Sequence, residues 1–92
     1  MINLFSHRTR TEVERWRRIK LTVWAYAYEI ANDPIATDEQ FDVLARQIDV
    51  SIPTGRDDLD DWWRQNFQPH TGMWIHNHPE KHLARKIYER FR

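Results

Sequence analysis

The stretch YEIANDPIATDEQFDVL, residues 28–44, constrains this chain more than any other. One helical pattern runs into it, a second leaves it, and Asn32-Asp33-Pro34 lies between them. The residue before a proline avoids the α region, so the first helix has to end there. Thr37-Asp38-Glu39-Gln40 then has the form of a capping box, with a hydroxyl at the N-cap and a carboxamide three residues on. A chain that stops and restarts a helix over so short a joint folds back on itself as a helical hairpin.

Upstream, Thr11-Glu12-Val13-Glu14 reads as another capping box, and Val13, Trp16, Ile19, Val23, Tyr26 and Ile30 recur at steps of three and four. That spacing predicts one apolar stripe on a helix of about twenty residues, widened by Trp24 and Tyr28. Downstream, Phe41, Leu44 and Ile48 keep the helical spacing until the chain should leave the helix near Asp49. Ser51-Ile52-Pro53-Thr54-Gly55 reads as a turn. Asp57 or Asp58 opens a third helix whose apolar side is Leu59, Trp62, Trp63 and Phe67, and its acidic front suits the helix dipole. Residues 68–78 read as a loop. Asn77-His78-Pro79-Glu80 is expected to cap a last helix, with Leu83, Ile87 and Phe91 facing inward and Lys86, Arg90 and Arg92 in its final turn. No segment alternates with the period of a strand. The expected fold is therefore all-α: one small four-helix domain over residues 1–92, with the hairpin over 11–50 and further helices over 57–67 and 79–92. Residues 1–10 carry no periodicity and read as an arm ordered by contact.

The formal net charge is zero but the charges are segregated. Residues 1–20 hold six basic and two acidic side chains, residues 21–63 two and ten, and residues 64–92 six and two. An acidic belt thus lies between two basic ends, which disfavours nucleic acid along the middle of the chain. Pairing of the ends with the belt is the simplest consequence. There is no cysteine, hence no disulfide and no thiolate chemistry. With no signal-peptide run and no span-length apolar segment, a cytoplasmic protein without a membrane partner is expected.

Tyr28, Pro34, Asp38, Phe41, Asp42 and Leu44 fall, without a gap, on the pattern Tyr, five residues, Pro, three residues, Asp, two residues, Tyr, Asp, one residue, Leu. In this the chain resembles the small N-terminal helical (Ia) domain of NAD-dependent bacterial DNA ligases, over roughly residues 15–49. That domain closes over the nicotinamide mononucleotide half of NAD. The resemblance implies that Tyr28, Asp38, Phe41 and Asp42 face a nicotinamide nucleotide, NMN or NAD. Phe41 stands where the family has Tyr, keeping the ring and losing the hydroxyl, and Glu29 stands where the family has His or Tyr. The family's adenylation motif, Lys-x-Asp-Gly, is absent from this sequence, so the resemblance implies no ligation by this chain alone. The chemistry of the window also stands by itself. Asp38 and Asp42 are four apart on one helix face, and carboxylates beside rings suit a flat, cationic, hydroxyl-rich group. The plain structural alternative makes Asp38 a cap, Asp42 a solvated carboxylate and Tyr28 part of the hairpin core.

Three other constellations stand out. HTGMWIHNHPEKH, residues 70–82, holds four of the five histidines, and His76, His78 and His82 have spacings that one metal could bridge; a surface cluster without metal is the commoner outcome. Trp62 and Trp63 are adjacent and Trp74 sits in a loop, so these rings either fold into the core or offer a partner an aromatic surface. Arg8, Arg10, Arg15, Arg17, Arg18 and Lys20 surround Trp16 and read as a solvated helix face more readily than as a phosphate track. No nucleophile–base set and no Gly-rich phosphate loop is present. The expected function is a small non-enzymatic binding module of phage or mobile-element type on a ligase Ia-like scaffold. It would offer the acidic belt with Trp62, Trp63 and Trp74 to a basic protein. The alternatives are a nicotinamide nucleotide module, or detached ligase-type subunit, and a His-cluster metal protein.

Overall fold

The structure is a computed structural model that describes residues 9–91. The expected arm and Arg92 thus lie mostly outside the described residues. Within them the chain is all α-helical, with no strand. The elements are α1 (Arg10–Ala25), a wider π-helical turn (Tyr26–Ile30), α2 (Asp38–Gln47), α3 (Asp57–Asn66), a 3-10 turn (Met73–Asn77) and α4 (Lys81–Arg90).

The hairpin forms for the reasons its sequence gives. The π turn closes with the Ala31 amide on the Tyr26 carbonyl, and Asn32 then takes φ 52°, the left-handed conformation that Asn tolerates better than most residues. Asp33-Pro34 follows. At Thr37 the capping box is complete, the hydroxyl accepting from the Gln40 amide (3.1 Å) and the Gln40 side chain from the Thr37 amide (2.9 Å). The joint also anchors the far end of the chain. Tyr88 Oη of α4 donates to Asp33 Oδ2 at 2.6 Å, and the Tyr26 and Tyr88 rings lie 5.6 Å apart. α4 therefore ends beside the end of α1, and the two run in the same sense.

Four local expectations change. The N-cap of α1 is Thr9, whose hydroxyl accepts from the Glu12 amide; Thr11 instead donates to the Pro53 carbonyl. Glu14 is thereby released from any capping role and points into the protein. Second, α2 ends at Gln47, before Asp49, because the Asp49 amide is taken by Glu14 Oε1 and Oε2 at 3.1 and 3.2 Å. Third, α4 begins at Lys81 without a side-chain cap, since the Glu80 amide donates to His78 Nδ1 (3.0 Å) instead. Ala84 is the buried residue of α4, whereas Leu83 and Phe91 are exposed. Fourth, the 68–78 loop contains the 3-10 turn that carries Trp74 and Ile75 into the core.

The largest difference is on α1. Its expected stripe leaves Trp16 (49 % exposed) and Ile19 (48 %) at the surface. Val23 of that stripe is buried and Val13 and Tyr26 are half-buried, but the face that enters the core is mainly Glu14, Arg18, Leu21, Thr22 and Ala25. Glu14 (0 % exposed), Arg18 (4 %) and Asp60 (2 %) form a buried ionic cluster. Arg18 Nε donates to Glu14 Oε2 at 2.7 Å, Nη1 to Asp60 Oδ1 at 2.9 Å, and Nη2 to the carbonyls of Asp49 and Ile52 at 2.9 and 3.0 Å. Asp60 Oδ2 accepts from the Thr54 amide (2.9 Å) and Oδ1 from the Thr54 hydroxyl (2.5 Å). Every buried side-chain polar atom among the described residues has a partner, which is the condition for such a cluster to be tolerated in a core. Arg18 is thus a structural residue and not part of a solvated face. It also shows the basic N-terminal segment pairing with the acidic belt.

Breaking this cluster from one side leaves uncompensated carboxylates in the interior, so Arg18→Ala is expected to destabilise the fold by about 3–5 kcal/mol. Arg17→Ala, which removes a 3.5 Å bond to the Gln47 carbonyl, should cost less than about 0.5 kcal/mol. Urea unfolding followed by tryptophan fluorescence measures both.

Candidate functional site

The residues singled out by the ligase-like window separate into two groups. Tyr28, exposed on the π turn, and Phe41, half-buried on α2, line one hollow of about 260 Å³. Ala25, Glu29, His70, Thr71 and Gly72 complete it. Asp38 and Asp42 are exposed on α2 and are not part of its wall. Its polar groups, besides the Tyr28 hydroxyl, are instead Glu29, His70 and Thr71. The backbone comes close at Gly72, where an added Cβ would stand 3.3 Å from Phe41 Cζ and 3.5 Å from Ala25 Cβ. Glycine thus lets the 70–72 segment close this end of the hollow. His70 went unassigned in the sequence because nothing in its spacing tied it to Tyr28, more than forty residues earlier.

Two of the three tryptophans expected at a contact surface, Trp63 and Trp74, are in the core instead. Trp63 and Trp74 are buried, 5.1 Å apart, with Phe67 at 5.2 Å from Trp63 and 5.7 Å from Trp74. Trp62 is half-buried, with its indole donating to the Asn77 carbonyl (3.1 Å), and Trp74 donates to the Thr71 carbonyl (2.7 Å). In so small a domain these large rings supply the core, tilted and edge-on as their quadrupoles favour. Offering Trp63 or Trp74 to a partner would require displacing α3 or the 3-10 turn, whereas Trp62 keeps part of its ring at the surface.

His78 belongs to the same ring cluster, 4.6 Å from Trp62 and 5.8 Å from Trp63. Its Nδ1 already accepts the Glu80 amide. Burial pushes its pKa down from 6.5 to about 4, against the opposing pull of Glu80, so the imidazole is neutral at pH 7. His76 and His82 are exposed and do not gather around it. No group of three or more metal-ligating side chains suited to an ion occurs among the described residues.

A second hollow, about 230 Å³, lies between α1 and α4. Ile19 and Val23 form one wall, Leu83, Ala84 and Ile87 the other, and Leu59 and Trp63 close it from α3. Thr54, Arg56, Arg15 and Glu80 stand at one end, with Arg18 and His78 in the floor. The polar groups are already engaged. Arg15 donates to the Thr54 carbonyl, Arg56 bridges Asp58 (3.2 Å) and Glu80 (3.1 Å), and Arg18 and Thr54 belong to the buried cluster. Gly55, at φ 88°, makes the turn that brings Arg56 round to Glu80, a conformation suited to glycine. What remains open is an apolar cleft with Ile19 and Leu83 (40 % exposed) at its lip and Trp16 a turn away along α1. Sequence periodicity had found these α1 residues and assigned them to the core.

No protein-family model matches the chain, and no curated protein or solved structure matches it either. No helix among the described residues is long and apolar enough to cross a membrane.

The buried imidazole makes stability depend on pH. Its folded pKa lies below its unfolded one, so the unfolded chain binds the extra proton between them. The stability contribution is complete above pH 6.5 and is lost as pH falls through about 4, amounting to about 3 kcal/mol. His78→Gln should flatten that part of the profile, measured as urea midpoints at pH 7 and 4.5, while NMR follows the imidazole itself.

Proposed function

We propose that the chain is a non-catalytic interaction module that receives a protein partner in the cleft between α1 and α4. The observation that carries this reading is the state of that cleft: an apolar surface open to solvent, whose polar neighbours are already bonded to one another. An exposed apolar face on a small domain lowers the free energy when covered, with Ile19 and Leu83 at its lip, and Trp16 beside it is of the residue type that most often anchors interfaces. In this reading the ligase-like hairpin is a scaffold. The partner surface moves from Trp63 and Trp74, which the core consumes, to the stripe of α1.

Site-specific photocrosslinking tests it. With p-benzoylphenylalanine at position 19 or 83, protein adducts should form in extracts of the source cell. The same probe at position 43, exposed on α2, should give none. Adducts from position 43 alone would put the interface on the acidic side and refute the proposal.

A second reading keeps a specific observation of its own, the Tyr28–Phe41 hollow with Glu29 and His70 at its edge. Two rings and a carboxylate suit a nicotinamide ring, although Asp38 and Asp42 stand outside the hollow. Titration with NMN or NAD should then shift the amides of residues 25–29, 41 and 70–72 saturably. Amides unmoved at millimolar ligand would remove this reading.

A further inference from the structure

We infer that the segment seated in the α1–α4 cleft is an acidic amphipathic helix; this rests on the docking reading above. Three features lead there. The first is backbone chemistry. An extended peptide would bring unpaired N–H and C=O groups into an apolar cleft whose polar atoms are already taken, and each would be left unsatisfied. A helix satisfies its own backbone, so only its side chains need a place.

The second is shape. α1 and α4 run in the same sense, and a third helix packs against such a pair as ridge into groove. The apolar wall from Arg15 to Val23 covers about 12 Å of helix axis, two turns and a little more. That length matches anchors at i, i+4 and i+7 of a partner helix.

The third is charge. The fold brings the two basic ends of the sequence together along the cleft, since α1 comes from one and α4 from the other. Arg15 lines it, and Lys86 and Arg90 flank Leu83 and Ile87 on the solvent side of α4. None of these three forms an ion pair among the described residues. Against them stand Glu12, and Glu80 and Asp58, both already held by Arg56. Lys20 adds a further cation, over the Trp16 and Trp24 rings at 4.6 and 4.9 Å. The rim is therefore cationic while the floor is apolar. Acidic side chains on the shoulders of an apolar ridge complement both.

The test titrates the full chain, isotopically labelled, with a designed peptide of about fourteen residues. It carries Leu at i, i+4 and i+7 and Glu on the flanking positions. Saturable amide shifts centred on residues 12–23, 54–63 and 80–87, with Kd on the order of 10–100 µM, are expected. A peptide with Lys in place of Glu should bind at least about tenfold more weakly, and the K86E/R90E double variant, altered only at exposed positions, should reverse that order. Equal or tighter binding of the Lys peptide at the same residues would overturn the acidic chemistry while leaving the cleft as a docking site. Silence of every peptide at these residues, with no crosslinks from position 19, would sink the docking reading itself. A single-stranded oligonucleotide shifting the same amides while the Glu peptide does not, or concentration-dependent shifts of the chain alone, would replace the helix by a phosphate backbone or a second copy, and either overturns the inference.

Discussion

One guanidinium holds this fold together. Arg18 uses its fork in three directions at once, toward Glu14 one turn before it, Asp60 on α3, and the carbonyls of the turn after α2. Its plane also lies 5.8 Å from the Trp63 ring, so the same group joins the ionic cluster to the aromatic core. A buried pair of charges is not by itself stabilising, because desolvation offsets most of the attraction. What the cluster supplies is position, because its donors and acceptors reach the backbone between α2 and α3. The segment from Asp49 to Thr54 has no helix or strand to define it, and it is positioned because Glu14, Arg18 and Asp60 bind its amides and carbonyls. Asp60 reflects this. Burial alone would raise its pKa, yet the Thr54 hydroxyl and amide together with Arg18 hold it below the ordinary carboxylate range.

From that arrangement the cleft follows. Fixing the 49–54 segment sets the turn at Gly55 and hence the start of α3, which supplies Leu59 and Trp63 to the cleft. It also turns α1 so that its ionic face is inward and its apolar face meets α4. α4 is shorter than α1; Tyr88 holds its far end at the hairpin joint, and the Arg56–Glu80 pair and buried Ala84 hold its start. Trp16 and Ile19 are left uncovered as a result. The exposed stripe is thus the counterpart of the polar core: α1 has two faces that could be buried, and the charges occupy the one at the centre.

Features of short range were legible in the sequence. The break at Asp33-Pro34, the Thr37–Gln40 capping box and the acidic start of α3 depend on neighbours within a few residues, and each is where its chemistry places it. The all-α architecture follows from the same local rules. What periodicity could not show was which face of α1 is inside, since the rule equates apolar with buried. The partners that reverse this choice, Arg18 and Asp60, are separated by 42 residues. The capping position moved for a related reason: Glu14, which would complete a box with Thr11, has a better use in the core. Of the nucleotide-facing positions the resemblance implied, Tyr28 and Phe41 do share a hollow, since helix spacing and the hairpin bring them together. Asp38 and Asp42 do not share it, and Glu29 and His70 stand there instead. His78 looked like a ligand because spacing says nothing of the rings that bury it.

The central claim is that the ionic cluster, and not the apolar stripe, locks the segment between α2 and α3. Native-state hydrogen exchange of the Asp49 and Thr54 amides, which donate to Glu14 and Asp60, tests it most directly. The account predicts that both exchange only through global unfolding, with protection equal to that of Leu21 and Ala25 in the middle of α1. Fast exchange of these two amides, with α1 still protected, would contradict it. The segment would then open on its own, and the cluster would be a consequence of the fold and not its constraint.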